Sequence, residues 1–201
     1  MKKFFSTFAL LVFILEFTLL PVCAKKESMT ARVNRVGREL LVKNQIDDKV
    51  RFRLRKTSKV NAYADIYKDI VVYSGLVKLC DDDDVLAGII GHEIGHIVNS
   101  HLYKQAAVYA AVYTAVNVAA QTVPAVALGT GLAYNVSSLT WSRSREFESD
   151  VTAVDLMIRA GYNPLAMVSV MHKISDNYFD FLSSHPSGEK RTKYIFDYIS
   201  Y

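Results

Sequence analysis

The stretch GIIGHEIGHIVNSH, Gly88 to His101, constrains this 201-residue chain more than any other. Four aspartates, Asp81 to Asp84, precede it and suit the positive end of a helix dipole. Val85, Leu86, Ile89, Ile90, Ile94, Ile97 and Val98 then recur too densely for a surface helix. The pattern predicts a helix buried on most of its circumference. Two histidines and a glutamate on such a helix are costly to desolvate unless something pairs with them.

On a helix, positions i and i+4 point the same way, so His92 and His96 can both bring Nε2 to one ion. Glu93 lies about 100° round, near enough to meet a water beside that ion but not to ligate it. The plainer alternative is a chance match to HExxH, and a third ligand decides between the two. The longer pattern HExxHxxGxxH is not met, because Asn99 and Leu102 occupy its glycine and last histidine positions. His101 is one residue out of register and on a continuous helix points away from the pair. It reads as a surface histidine or as one that supports a ligand from behind.

A later segment, SRSREFESDVTAVDLM from Ser142 to Met157, offers Glu146 and Asp150 one turn apart on one face. Glu146 can ligate, while Asp150 can accept a hydrogen bond from the free N–H of a ligand histidine and fix its tautomer. Glu148 lies on another face. Taken alone, ExxxD is equally a solvated acidic turn.

With these segments, VNAYADIYKDIVVYSGLVKL and SSHPSGEKR in the same order, the chain resembles the gluzincin metallopeptidases of the HtpX and CaaX-prenyl-protease type, peptidase family M-48. The resemblance covers roughly 61–191. It implies an α+β fold, a mainly helical zincin-type metallopeptidase domain with a small β-sheet flanking the HExxH helix. It also implies a zinc endopeptidase with one Zn2+ per chain, His92, His96 and Glu146 as ligands and Glu93 as base, and it places His185 and Arg191 in the cleft. HtpX-like members carry transmembrane helices around this domain, and this sequence departs from that. Its size looks more like the small periplasmic, membrane-associated members that work in envelope quality control. The implied substrates are polypeptides, chiefly unfolded or misassembled envelope proteins.

The developing oxyanion of peptide hydrolysis needs a stabiliser besides the metal, and His185 or Arg191 can supply it. For Arg191 a salt bridge to Glu146 or Asp150 is an equal alternative. For His185 a donor role in the transition state is expected, with an inhibitory fourth ligand as the alternative. Substrate is expected to pair as an extended strand with the edge near Asn61 to Ile70, beginning at Asn61 and Ala62. A rival from another class is a non-catalytic, metal-bearing chaperone or assembly factor of the envelope. Glu93 speaks against it, since a pure binder needs no base beside the metal.

The first residues, MKKFFSTFALLVFILEFTLLPVCAKKES, read as the charge, apolar core and small-residue exit of a signal peptide over 1–24. Glu16 inside that core leaves a retained anchor open, and Cys23 after LLPV leaves lipidation open. The expected location is therefore the periplasm or cell envelope. Residues 25–201 are expected to form a single domain. Lys25 to Lys59 holds twelve basic residues and four acidic ones. Such a stretch suits an anionic membrane surface or, more plainly, a solvated helix and hairpin. An export signal in front discounts nucleic acid.

Helices are predicted over Met29 to Asn44 and from Asp82, about Lys104, Ser142, Pro164 and Ser187. Val50 to Arg55 alternates as a half-exposed strand, and NAYADIYKDIVVYSG predicts a hairpin or two short strands. Ala106 to Ser138 carries no charge and is rich in alanine. Pro124 and Gly129-Thr130-Gly131 interrupt it, so a helical hairpin over about 106–138, packed on the domain or dipping into a membrane surface, fits better than a span.

Overall fold

The computed structural model describes residues 26–46, 49–122, 143–175, 185 and 189–200. The expected leader over 1–24, with Cys23, and the second arm of the 106–138 hairpin lie outside them. Helix α1 (Met29–Lys43) begins at Ser28, whose hydroxyl accepts the Ala31 N–H at 3.2 Å, and buries Val33, Val36, Leu40 and Leu41. Three strands follow, β1 (Arg51–Arg55), β2 (Ala62–Ala64) and β3 (Asp69–Tyr73). Next come α2 (Ser74–Leu79), α3 (Asp83–Val98), α4 (His101–Thr122), α5 (Arg143–Ala160), α6 (Leu165–Ser175) and α7 (Glu189–Ser200). The described residues are thus mainly helical with one small sheet, an α+β arrangement.

The sheet order is β1-β3-β2. Strand β2 pairs antiparallel with β3, Ala62 facing Val72 and Ala64 facing Ile70. Strand β1 is parallel to β3, with Phe52 beside Ile70 and Leu54 beside Val72. Asp65 shapes the β2–β3 turn: its Oδ1 accepts the N–H groups of Tyr67 at 2.8 Å and Asp69 at 2.9 Å. Lys68 completes that turn at φ 63°. The alternating arginines of β1 do not simply face water. Arg51 and Arg53 both pair with Asp69 on β3, the latter at 2.7 Å, so part of the basic stretch is neutralised within the sheet.

Helix α3 is the axis of the core, buried from Val85 to Ile97 as the sequence predicts. Asp82 caps it by accepting the Val85 N–H at 2.9 Å. Arg32 at 2.7 Å and Arg35 at 2.8 Å tie α1 to Asp83 in its first turn. Leu86, Ile90 and Ile94 on α3 join Ile70, Met157, Met167 and Ile195 among the fully buried side chains. Helix α4 starts at His101, three residues earlier than predicted. Among the described residues no helix is long and apolar enough to cross a membrane.

Candidate metal centre

Helix α3 presents His92 and His96 from successive turns, and α5 crosses it closely enough to bring Glu146 to both. Glycines on α3 make that approach. A Cβ on Gly95 would meet the Ser149 Cα and carbonyl oxygen at 2.9 Å, and one on Gly91 would meet Ala153 at 3.3 Å. Neither glycine stands out in the sequence. Their close fit depends on what lies across the interface, and the HExxH pattern alone does not display it.

The two Nε2 atoms of His92 and His96 stand 3.0 Å apart. Glu146 brings Oε2 to 3.4 Å from the first and Oε1 to 3.4 Å from the second. His185 adds its Nδ1 at 3.3 Å from both His92 Nε2 and Glu146 Oε2. One donor atom from each of these four buried residues falls within 4.8 Å of all the others, a spacing suited to a single cation. Glu93 lies on the far side of His185, with Oε1 3.3 Å from the ring Nε2. Glu148 is outside the ligand group, half exposed and bonded to His101.

Partners behind the ligands decide which nitrogens face the centre. Asp150 Oδ1 lies 2.9 Å from His92 Nδ1, which therefore carries a proton and leaves Nε2 as the nitrogen turned inward. Arg191 holds Asp150 in turn: Nε donates to Oδ2 and Nη2 to Oδ1, both at 2.7 Å, while Nη1 reaches Glu146 Oε2 at 2.9 Å. Of the two roles open to Arg191 in the sequence, the salt bridge is the one seen. Its guanidinium is buried between two carboxylates, which argues against the oxyanion-donor role.

Of the two readings of His101, the one behind a candidate ligand is seen, though its direction departs from expectation. A continuous helix would aim it away, but α3 ends at Val98, Ser100 takes φ 56°, and α4 starts afresh at His101. The turned chain buries the ring fully, with Nδ1 3.0 Å from His96 Nδ1. Ala62 is buried in β2, which among the described residues is an outer strand of the sheet and packs against α3; Asn61 precedes it and accepts the Ala62 N–H on its own side-chain oxygen at 2.9 Å.

The electrostatics call for a positive charge at this point. Burial raises the Glu146 pKa, but hydrogen bonds from His185 and His92 outweigh it and hold the carboxyl well below its usual range. Asp150 is lowered likewise, its burial outweighed by His92 and Arg191. Burial opposes a charge on His92, yet Asp150 and Glu146 prevail and lift its pKa to about 10 with protein groups alone. Burial and the neighbouring His92 and His185 rings lower His96. A proton on His92 supplies one positive charge, whereas a divalent cation satisfies all the inward donors at once. Glu146 Oε1, buried and accepting no hydrogen bond among the described residues, is a further atom that a cation satisfies. The donor set of imidazoles and one carboxylate fits a metal ion.

Residues 27–198 match the family model described as Peptidase family M48. The mitochondrial metalloendopeptidase OMA1 of Arabidopsis thaliana is 30% identical over 86% of this chain and 34% of its own length. The metalloprotease YcaL of Escherichia coli is 28% identical over 75% of this chain and 63% of its own. The beta-barrel assembly-enhancing protease of the same species is 24% identical, over 81% and 37%. The chain therefore spans between about a third and under two thirds of the length of these relatives. A family match across most of the chain, on a fold that gathers HExxH and the later glutamate at one point, establishes that this chain belongs to peptidase family M48.

Proposed function

We propose that the protein is a zinc-dependent metalloendopeptidase that cleaves extended or unfolded polypeptides of the cell envelope. The observation that carries this reading is the convergence of His92, His96 and Glu146 on one point, with Glu93 beside it. His92, His96 and Glu146 would hold one Zn2+ per chain, and Asp150 and Arg191 would keep His92 and Glu146 in place. Zinc, when bound, supplies Lewis acidity, polarising the scissile carbonyl and acidifying a coordinated water to a pKa of about 7.

The chain's own groups carry the rest. Glu93 takes a proton from the attacking water and delivers it to the leaving amine. In this reading an extended substrate pairs along the outer edge of β2 near Asn61 and Ala62, where it would displace the Asn61 side-chain oxygen from the Ala62 N–H. Such pairing reads backbone more than side chains, which suits unfolded or misassembled proteins. The relative named for β-barrel assembly supports an envelope setting, with the apolar amino-terminal sequence as an export signal or anchor.

The test is metal analysis joined to a casein-cleavage assay on the purified chain. About one zinc per chain is expected, with cleavage abolished by chelation and by Glu93→Gln while zinc stays bound. Glu146→Ala should lose most of the metal. Cleavage that survives Glu93→Gln would remove Glu93 as the base. Stoichiometric zinc without any cleavage in the native chain would favour the chaperone reading instead.

A further inference from the structure

Two ligand histidines share this centre, but they are supported differently. His92 leans directly on the buried carboxylate of Asp150, at 2.9 Å. Behind His96 stands a second imidazole, His101, with the two Nδ1 atoms 3.0 Å apart. A hydrogen bond between two such nitrogens needs a proton on one and a lone pair on the other. Geometry at the far side of His101 settles which. Its Nε2 lies 3.1 Å from Glu148 Oε2, and an ionised carboxylate only accepts, so the His101 proton sits on Nε2.

The remaining Nδ1 of His101 is then an acceptor. Ser149 Oγ, 3.3 Å away, is a more distant donor to that lone pair than His96 Nδ1 at 3.0 Å. His96 must therefore donate from Nδ1, and its Nε2 faces the centre as a lone pair. The break in the helix makes this contact, because Ser100 at φ 56° swings His101 back over the end of α3.

Resting on the metal-binding reading above, we propose that His101 and Glu148 are a positioning pair that fixes the tautomer and orientation of His96 for metal binding. The pair acts through His96 and does not touch the metal. It also ends in a carboxylate that is half exposed, whereas Asp150 is fully buried. One ligand is thus set from the interior and the other from the protein surface.

The experiment measures Zn2+ affinity of the full chain by competition with a chromophoric chelator at fixed pH. His101→Leu removes the acceptor and should weaken binding by about 10- to 100-fold. His101→Asn places an amide oxygen near the lost Nδ1 and should stay within about three-fold of the native chain. Equal losses in the two variants would reduce His101 to packing and overturn the proposal, as would unchanged affinity in His101→Leu. A long-range nitrogen–proton correlation spectrum of the native protein should find the His96 proton on Nδ1 and the His101 proton on Nε2. The opposite assignment overturns the proposal even if the leucine variant does not fold. Tight zinc in the native chain with indifferent variants defeats this inference alone, whereas a native chain that binds no zinc defeats the proposed function as well.

Discussion

Arg191 grips Asp150 through two parallel hydrogen bonds of 2.7 Å and spends its third nitrogen on Glu146. Helix α7 is thereby fastened to α5 at the point where α5 supplies the carboxylate of the centre. Removing the guanidinium leaves two buried carboxylates without their main counter-charge. Breaking a buried pair from one side costs about 3–5 kcal/mol. Arg191→Met should lower the unfolding free energy by about that much in urea titrations. Arg191→Lys should recover only part of it, since an ammonium cannot reproduce the planar fork. A variant as stable as the native chain would show that the contact adds nothing to the fold.

Gly95 should tolerate no side chain. An added methyl there meets backbone atoms of Ser149, which cannot rotate away, so α5 itself must move. Gly95→Ala should cost about 1–3 kcal/mol and weaken metal binding along with stability, because Glu146 moves with its helix. Gly91→Ala meets Ala153 at 3.3 Å and should be milder. If the order of the two is reversed in thermal melts, close packing at Gly95 is not what registers the helices.

His185 lies between Glu93 and the His92–Glu146 pair, the place that the proposed mechanism gives to the attacking water. His185→Ala should keep one zinc per chain, since three ligands remain, and peptide cleavage should rise as the position opens. A fall in kcat of about 10² to 10³ would instead mark an oxyanion donor, as the sequence favoured. Unchanged kinetics would take His185 out of the site.

Asp83 ties α1 to the start of α3, and its titration should be visible in stability. Burial raises its pKa, but Arg32 and Arg35 outweigh that and leave it below 3.8. A depressed folded-state value means the contribution is complete above the unfolded pKa and is lost as pH falls through the folded one. Asp83→Asn should therefore be less stable than the native chain near neutral pH, and the gap should begin to narrow below about pH 3.8 and close only beneath the lower folded-state value. A gap that persists in acid would point to helix capping and not to the ion pairs.

The parts of this centre that sequence displays are those set by helical spacing. His92 with His96 and Glu146 with Asp150 each sit one turn apart, so a single helix period brings each pair to one face. Helices α1, α3 and α5 were legible for the same reason, as was Phe52 as the buried position of an alternating strand. For His101 two roles stayed open, because its direction depends on one backbone angle at Ser100, a residue type that seldom takes positive φ. The parallel pairing of β1 with β3 is a contact across 18 positions with β2 threaded between, and neither strand's own pattern encodes it. The role of Arg191 required knowing that α7 returns to α5.

Glu146 and Asp150 are both acidic and one turn apart, so a chain that read only their spacing could settle a full turn out of place. Sliding α5 by about 5.4 Å would put Asp150 where Glu146 belongs. The residues across from the α3 glycines forbid it. Ser149 sits at Gly95 and Ala153 at Gly91, and the next in the row, Met157, is fully buried with its Sδ against Gly88. A slipped helix would have to seat that methionine against Gly91, where an alanine already touches. The size gradient Ser149, Ala153, Met157 works like the unequal teeth of a key: it admits α5 in one setting and so selects which carboxylate faces His92 and His96.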